Sequence, residues 1–402
     1  MVSAWTLFKT FLVLGCTSFG GPTAHLVFFH RTFVEQYQWL NAEEYSQLVA
    51  LAQLLPGPTS SQVGLAIGYL QRGYRGAFLA WLGFTLPSIL LMLCFAIFSQ
   101  RLTPFLNSTL FHSIQLVVFT IVLLAFWQMC RSFCQSTRQI LFMLFSASLC
   151  LLSPWSFTLF FIIIFAAFLG LIFPFQTVDQ SKKQHASSQI SQNHITAHRQ
   201  KTALGWAAMF FTILLGLPLW NLYFPTTSTV FFSQFFNASS SVFGGGHILL
   251  PLLHQDFVTT GIIPTDQFHL GYAFAQLVPG PLFSFSSYLA LFLPLPWSPW
   301  VNVLFISIAT FLSSFLLIFA TLPYWSWLLA QEKIRHAVFA IHAAIVGLLL
   351  SLLLKMAQQD VQHGYDLIFI LLTLMLIQSR LNLWLSIPCS LLLYQLLQYL
   401  AF

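Results

Sequence analysis

The sequence predicts an all-α polytopic membrane protein made of two homologous halves in inverted topology, each with a re-entrant or broken helical hairpin at a Pro-Gly-Pro motif. Three observations carry that prediction: an apolar composition, a set of motifs that recurs in order, and the side on which basic residues fall. Hydrophobic residues make up 58% of the 402-residue chain and charged residues only 6%, against about 25% charged in soluble globular domains. Such a surface cannot be solvated by water. It calls for a lipid bilayer as partner and no nucleic acid, and it leaves room for a homodimer.

Apolar runs near the length of about 20 residues that a membrane crossing needs predict spans at 76–98, 110–130, 139–153, 155–173, 203–224, 300–322, 334–354, 365–379 and 381–402. Between them lies one polar stretch, residues 174–201, rich in Gln, Ser, His and basic residues. Nothing in it can form a core, so it reads as a solvated linker. The chain divides accordingly into a first repeat at 1–173, the linker, and a second repeat at 202–402 that carries one extra leading span.

The repeat is visible letter by letter. Phe19–Pro22 (FGGP) matches Phe243–Gly246 (FGGG) at an offset of 224, and Ala52–Pro58 (AQLLPGP) matches Ala275–Pro281 (AQLVPGP) at an offset of 223. Tyr45–Leu55 is 11 residues long and, at about 1.5 Å per residue, reaches only about halfway through a hydrocarbon core of about 30 Å. Pro56-Gly57-Pro58 ends that helix, because proline lacks an amide hydrogen and clashes with the preceding turn; Pro58 can then open the next helix, Thr59–Leu70. Broken backbone at such depth is tolerated where protein buries it or water reaches it, so the break is expected to line a cavity. Two breaks at corresponding positions of a duplicated chain point to a transporter binding centre.

Charge sets the orientation. Arg72, Arg75, Arg131, Arg138, the linker's Lys182, Lys183, Arg199 and Lys201, and then Lys333, Arg335 and Arg380 fall on one side, eleven in all; Arg101 and Lys355 fall opposite. The positive-inside rule assigns the crowded side, linker included, to the cytoplasm. The exit of the second hairpin, Leu293–Pro299, carries no charge. The first hairpin therefore opens inward and the second outward.

Half-helix N-termini present free amides and about half a positive charge, which suits an oxyanion. The candidate binding residues are Gly20, Gly21, Pro22, His25, Gln53, Pro56, Gly57, Pro58, Thr59, Ser60 and Ser61 in the first half. The second half contributes Gly244, Gly245, Gly246, His247, Gln276, Pro279, Gly280, Pro281 and Ser284, with Ser286 and Ser287 adding hydroxyls. The glycines would let backbone approach the ion. Proton-coupling candidates are His25, Glu35, Glu43, Glu44, His247 and Asp266; Glu43 and Glu44, following Asn41, read as first-turn acids of a capped helix. No cofactor or metal set is predicted. The six cysteines show no zinc spacing, Cys16 in LVLGC has no basic stretch ahead of the apolar run, and His185, His194 and His198 read as tether residues.

Several stretches resemble one family: SFGGPTAHL, FVEQYQWLNAEEYSQLVALAQLLPGPTSSQVGLAIGYL, GAFLAWLGFTLPS, FGGGHILLPLL, GYAFAQLVPGPLFSFSSYL and HAAIVGLLL. These are similar to segments of the two-domain bacterial chromate ion transporters. The resemblance implies an inner-membrane carrier that exports chromate and confers resistance to it. Gln36–Gln38 stands where a basic cluster is expected, which leaves Arg31, Arg72 and Arg75 to attract an anion. Ile262, Ile263 and His342 are further departures. Sulfate or another tetrahedral oxyanion is the alternative cargo. An integral lipid-pyrophosphate phosphatase is the alternative class, although neither PGP segment holds the Arg that phosphoryl chemistry would want.

Overall fold

Ser3 caps α1 (Ala4–Thr17), its hydroxyl accepting from the Thr6 amide at 3.0 Å. Gly20 and Gly21, with φ of 96° and 79°, then reverse the chain into α2 (Gly21–His30), which a π-helical stretch, Arg31–Gln36, prolongs. Phe11 packs on Phe29 and Phe33, at 5.8 and 4.9 Å between ring centres, so α1 and α2 lie antiparallel. The FGGP motif is thus the tip of a re-entrant hairpin, which the sequence had not predicted. In the computed structural model, residues 2–102, 108–153, 158–173, 197–243, 245–379 and 383–401 are described; Lys182, Lys183, His185, His194, Gly244 and Arg380 lie outside them.

The second hairpin follows at once. Asn41 and Glu44 form the capping box of α3 (Ala42–Leu54), as the first-turn acids predicted. The Pro-Gly-Pro turn leads to α4 (Thr59–Leu102), which folds back on itself at Arg72 and Gly73 into a short arm, 59–71, and a long arm, 74–102. Gly68 sits directly against Gly76 and Ala80, a close approach of two backbones that only small residues allow. Gln71 Nε2 donates to the Trp39 carbonyl at 3.3 Å. This bond ties the outer end of the short arm to the outer end of α3, so both ends of the PGP hairpin lie at one face of the membrane.

Three further helices complete the first copy: α5 (Ser108–Phe133), α6 (Thr137–Leu152) and α7 (Thr158–Ile172). An additional helix, α8 (Ala197–Tyr223), begins inside the stretch read as linker. The pattern then repeats. α9 (Thr227–Ser240) turns at FGGG into a 3-10 turn (Gly246–Ile248), α10 (Leu249–Leu253) and a π stretch (His254–Val258); α11 (Thr265–Leu277) turns at the second PGP into Leu282–Ser284 and α12 (Phe285–Leu289). Phe235 and Phe257, 5.0 Å apart, reproduce the Phe11–Phe33 pair. The copy continues with α13 (Pro299–Thr321), α14 (Trp325–Ala330), α15 (Glu332–Asp360), α16 (Gly364–Gln378) and α17 (Leu383–Ala401). α12 is far shorter than its counterpart because Pro294 and Pro296 follow and cannot continue a helix.

The two copies interlock. α15 packs on α6 and α7 of the first copy, while its counterpart α5 packs on α16 and α17 of the second. Small residues set these crossings too: Gly170 lies against His336 and Ala337, and Gly347 against Met143 and Ala147. Among the described residues, five helices are long and apolar enough to cross a membrane, those beginning at Thr59, Ser108, Thr202, Pro299 and Glu332, and no strand occurs.

Inversion can be read from one contact. Asp266 lies in the first turn of α11, at the mouth of the second copy's hairpins. Gln115 lies near the start of α5, one membrane crossing away from Arg75. Gln115 Nε2 donates to Asp266 Oδ1 at 3.1 Å. The mouth of the second pair of hairpins is therefore at the face opposite Arg72 and Arg75. Trp206, early in α8, donates to the Tyr74 hydroxyl at 3.1 Å, which returns the chain to the Arg75 face after the linker.

Candidate functional site

Each copy thus brings two hairpin tips into the interior, and the four tips meet. The Gly57 amide donates to the Val242 carbonyl at 2.7 Å, and the Gly280 amide donates to the Ser18 carbonyl at 3.0 Å. These bonds are the same bond made twice, since Gly280 corresponds to Gly57 and Val242 to Ser18. In each, the PGP tip of one copy is held by the residue just before the FGG tip of the other. Both glycines have positive φ, 126° at Gly57 and 99° at Gly280, conformations that L side chains avoid.

The glycines also face across the repeat boundary. A Cβ at Gly57 would stand 3.0 Å from Ser314 Oγ on α13, and one at Gly280 would stand 3.1 Å from Ser88 Oγ on the long arm of α4. Ser88 and Ser314 are themselves corresponding positions. Each PGP loop is therefore clamped between the other copy's FGG tip and the other copy's long helix.

Helix ends of both signs meet at this junction. Four helix starts converge here: α2, the short arm of α4, the 3-10 turn at Gly246 and the turn at Leu282. The opposing helix ends bring carbonyls, but several of these are already bonded. Ser18 and Val242 carbonyls accept from the glycine amides, and Gln62 Nε2 donates to the Pro56 carbonyl at 2.6 Å. The amide ends of the helix starts remain available to an anion, alongside the carbonyl ends of α1, α3, α9 and α11.

Side-chain polar groups around the tips are buried yet incompletely paired. His25 Nδ1 lies 3.2 Å from Ser60 Oγ, while its Nε2 makes no hydrogen bond of normal geometry. Ser18 Oγ, Ser61 Oγ, Ser240 Oγ and Ser314 Oγ have no partner. Each such group costs about 1–3 kcal/mol unless something meets it. A cargo with several acceptor oxygens would meet them together.

The sequence-predicted residues divide as follows. Ser60, His25, Gly57 and Gly280 are drawn into the junction by the contacts above. Pro22 opens α2, and the Pro58 carbonyl accepts from the Gln62 amide at 2.9 Å, so α4 begins at Thr59 and Pro58 is its cap instead of its first residue. Pro56, Pro279 and Pro281 frame the two PGP turns. Gly246 sits against Leu282, the counterpart of Thr59, and Gly245 precedes it. His247 Nδ1 lies 2.7 Å from the Tyr272 hydroxyl, on the helix that carries Gln276. Gln53 is exposed. Ser284 is buried in the turn after the second PGP. The expectation for the two serines after it is corrected: Ser286 Oγ donates to the Phe283 carbonyl at 2.8 Å and Ser287 Oγ pairs with Ser307 Oγ at 3.0 Å, so both hydroxyls are already engaged.

Other residues emerge only from the geometry. Ser18, Val242, Ser88 and Ser314 complete the clamp, and the offset of about 225 that relates the motifs pairs them as well. Toward the Arg75 face, between α1 and the π stretch, a cavity of about 400 Å³ is lined by Thr6, Lys9, Thr10, Thr32, Gln36 and Tyr37. Lys9 supplies a cation where Gln36–Gln38 does not.

Comparison with known proteins agrees with the duplication. Residues 5–171 and 229–395 each match the chromate transporter family, leaving α8 between the two matched segments. An uncharacterised transporter of Methanocaldococcus jannaschii is 23% identical over 393 residues, covering 97% of this chain and 94% of the relative. A probable chromate transport protein of Synechococcus elongatus is 25% identical over 88% of this chain and 84% of its own length. A chromate transport protein of Pseudomonas aeruginosa is 23% identical over 88% and 80%. No solved structure matches. With both halves matched and relatives that are transporters and not enzymes, the chain belongs to the chromate transporter family.

Proposed function

We propose that this protein carries chromate, a tetrahedral dianion, outward across the bacterial inner membrane and thereby confers chromate resistance. The observation that carries the reading is the meeting of four hairpin tips at one junction, with helix starts and unpaired buried hydroxyls at the tips and no carboxylate among the groups named there. The names of the relatives supply the cargo. Outward movement is favoured electrically: a dianion leaving a negative interior gains about 2 × 2.3 kcal/mol per 100 mV, with no coupled cation. In this reading the junction is the binding centre, the Lys9 cavity is the inner approach, and the first copy's hairpins open inward while the second copy's open outward.

Chromate accumulation in cells with and without the protein tests the reading. Cells expressing it are expected to hold less chromate, and excess internal sulfate should slow efflux if the site reads charge and shape alone. Equal accumulation in both strains would refute export. Orientation has its own test, in a background with the six native cysteines replaced. A cysteine at Gln135 or in the linker should resist an impermeant external thiol reagent, and one at Ser298 should react. Equal labelling of Ser298 and the linker would overturn the assignment of the Arg75 face to the cytoplasm.

A further inference from the structure

We propose that His112, His363 and Asp366 bind a divalent transition-metal ion of the zinc class and so clasp the two repeats together at the face opposite Arg72 and Arg75. His112 stands in the first turns of α5 in the first copy; His363 and Asp366 stand at the start of α16 in the second. His112 Nε2 is 3.3 Å from Asp366 Oδ2, and His363 Nδ1 is 3.7 Å from the same oxygen. One ligand atom from each of the three lies within 4.8 Å of the others.

These separations suit a metal. Tetrahedral zinc at about 2.1 Å from each donor places neighbouring donors about 3.4 Å apart. Two of the edges already have that length, and the third closes by rotation of His363, whose side chain is half exposed. Two imidazoles and one carboxylate form a donor set typical of zinc and its neighbours in the first row, with one position left for water.

Asp366 is prepared for the role. It is fully buried, and its Oδ2 accepts from the amides of Gln362 and His363 at 2.9 and 2.8 Å. Tyr394 donates to the other oxygen, Oδ1, at 3.0 Å, the kind of outer partner that fixes a ligating carboxylate. Tyr365 stacks on the His363 ring at 4.9 Å. Capping of α16 accounts for the carboxylate and engages the His363 side chain as well, but it does not account for the imidazole of His112, which the other repeat contributes. The site is separate from the hairpin junction. It depends on the proposed function only for the name of the face it occupies, and metal binding can be measured without any transport.

The test uses the purified full-length protein, without a polyhistidine tag, titrated with Co(II) and followed by its visible ligand-field absorption, then with Zn(II) in competition. One tight equivalent per chain is expected. His112→Gln and His363→Gln should each weaken it by about tenfold or more, the range that even outer-partner changes produce. A variant with the linker histidines His185, His194 and His198 changed to Gln should bind as wild type does. Zn(II) should raise the thermal unfolding temperature of wild type and not of His363→Gln, an exposed change that leaves the Asp366 cap in place. Binding that survives both His112→Gln and His363→Gln, or that disappears with the linker histidines, would overturn the proposal, as would the absence of a stoichiometric equivalent.

Discussion

Gly57→Ala and Gly280→Ala should each abolish transport while leaving the protein in the membrane. The added methyl is small, but it meets two obstacles at once. Both positions have positive φ, which costs a non-glycine residue on the order of 1–3 kcal/mol. The new Cβ would also stand 2.6 Å from Gln62 Nε2 at Gly57, and 3.1 Å from Ser88 Cβ and 3.3 Å from the Phe84 carbonyl at Gly280. Gln62 can give way only by releasing the Pro56 carbonyl, and the Phe84 backbone cannot give way at all. The loop must shift instead, and shifting it breaks the amide bond to the other copy. Because the spans themselves are untouched, membrane abundance by immunoblot should stay near normal while vesicle transport falls at least about tenfold, the equivalent of 1.4 kcal/mol. Wild-type transport in either variant would mean that its PGP turn is only a bend in the chain.

A carboxylate placed at the helix starts should be as damaging, and the structure decides where to place it. At Ser60 the neighbouring His25 Nδ1, 3.2 Å away, could share a proton with the new acid and neutralise it. Ser61 is the better position, because it is buried and its hydroxyl has no partner. Aspartate in the first turn also favours the helix itself, so Ser61→Asp should fold. It would set a fixed negative charge against an incoming dianion, a repulsion of about 4 kcal/mol per unit-charge pair at 4 Å and an effective dielectric of about 20, or about 8 kcal/mol against the two charges of the ion. Ser61→Asp should therefore eliminate chromate transport, whereas Ser61→Ala, which removes one donor worth about 0.5–1.5 kcal/mol, should slow it only several-fold. Ser284, the corresponding residue, should show the same order. If Ser61→Asp moved chromate at the wild-type rate, these helix ends could not be where the anion binds.

Much of this architecture was legible in the sequence, for physical reasons. Whether a helix forms and crosses a bilayer depends on its own length and apolarity, so all nine predicted spans reappear as helices with similar ends, five of them long and apolar enough to cross. Two prolines around a glycine leave no way to continue a helix, whereas the single prolines Pro87, Pro218 and Pro388 stay within helices, which is why the PGP breaks were visible. Charge asymmetry is additive along the chain, and so it reported the inversion that the Gln115–Asp266 bond later fixed.

Tertiary structure decided what depends on two distant stretches meeting. The FGG tips were missed as hairpins because α1 and α9 have 14 residues each and their glycines read equally well as packing points. The bonds of Gly57 to Val242 and of Gly280 to Ser18 join backbone atoms, and a backbone amide leaves no mark in the choice of side chain. Which serines remain free was equally hidden: Ser61 and Ser286 look alike in sequence, yet one hydroxyl is unpaired and the other is bonded to its own turn. His112 and Asp366, 254 residues apart, share no motif. The sequence determined which long apolar stretches become helices and where the PGP motifs break the chain; only the fold determined that the FGG motifs turn back as well and which breaks face each other, because that is set by contacts between the copies and not by anything either copy contains alone.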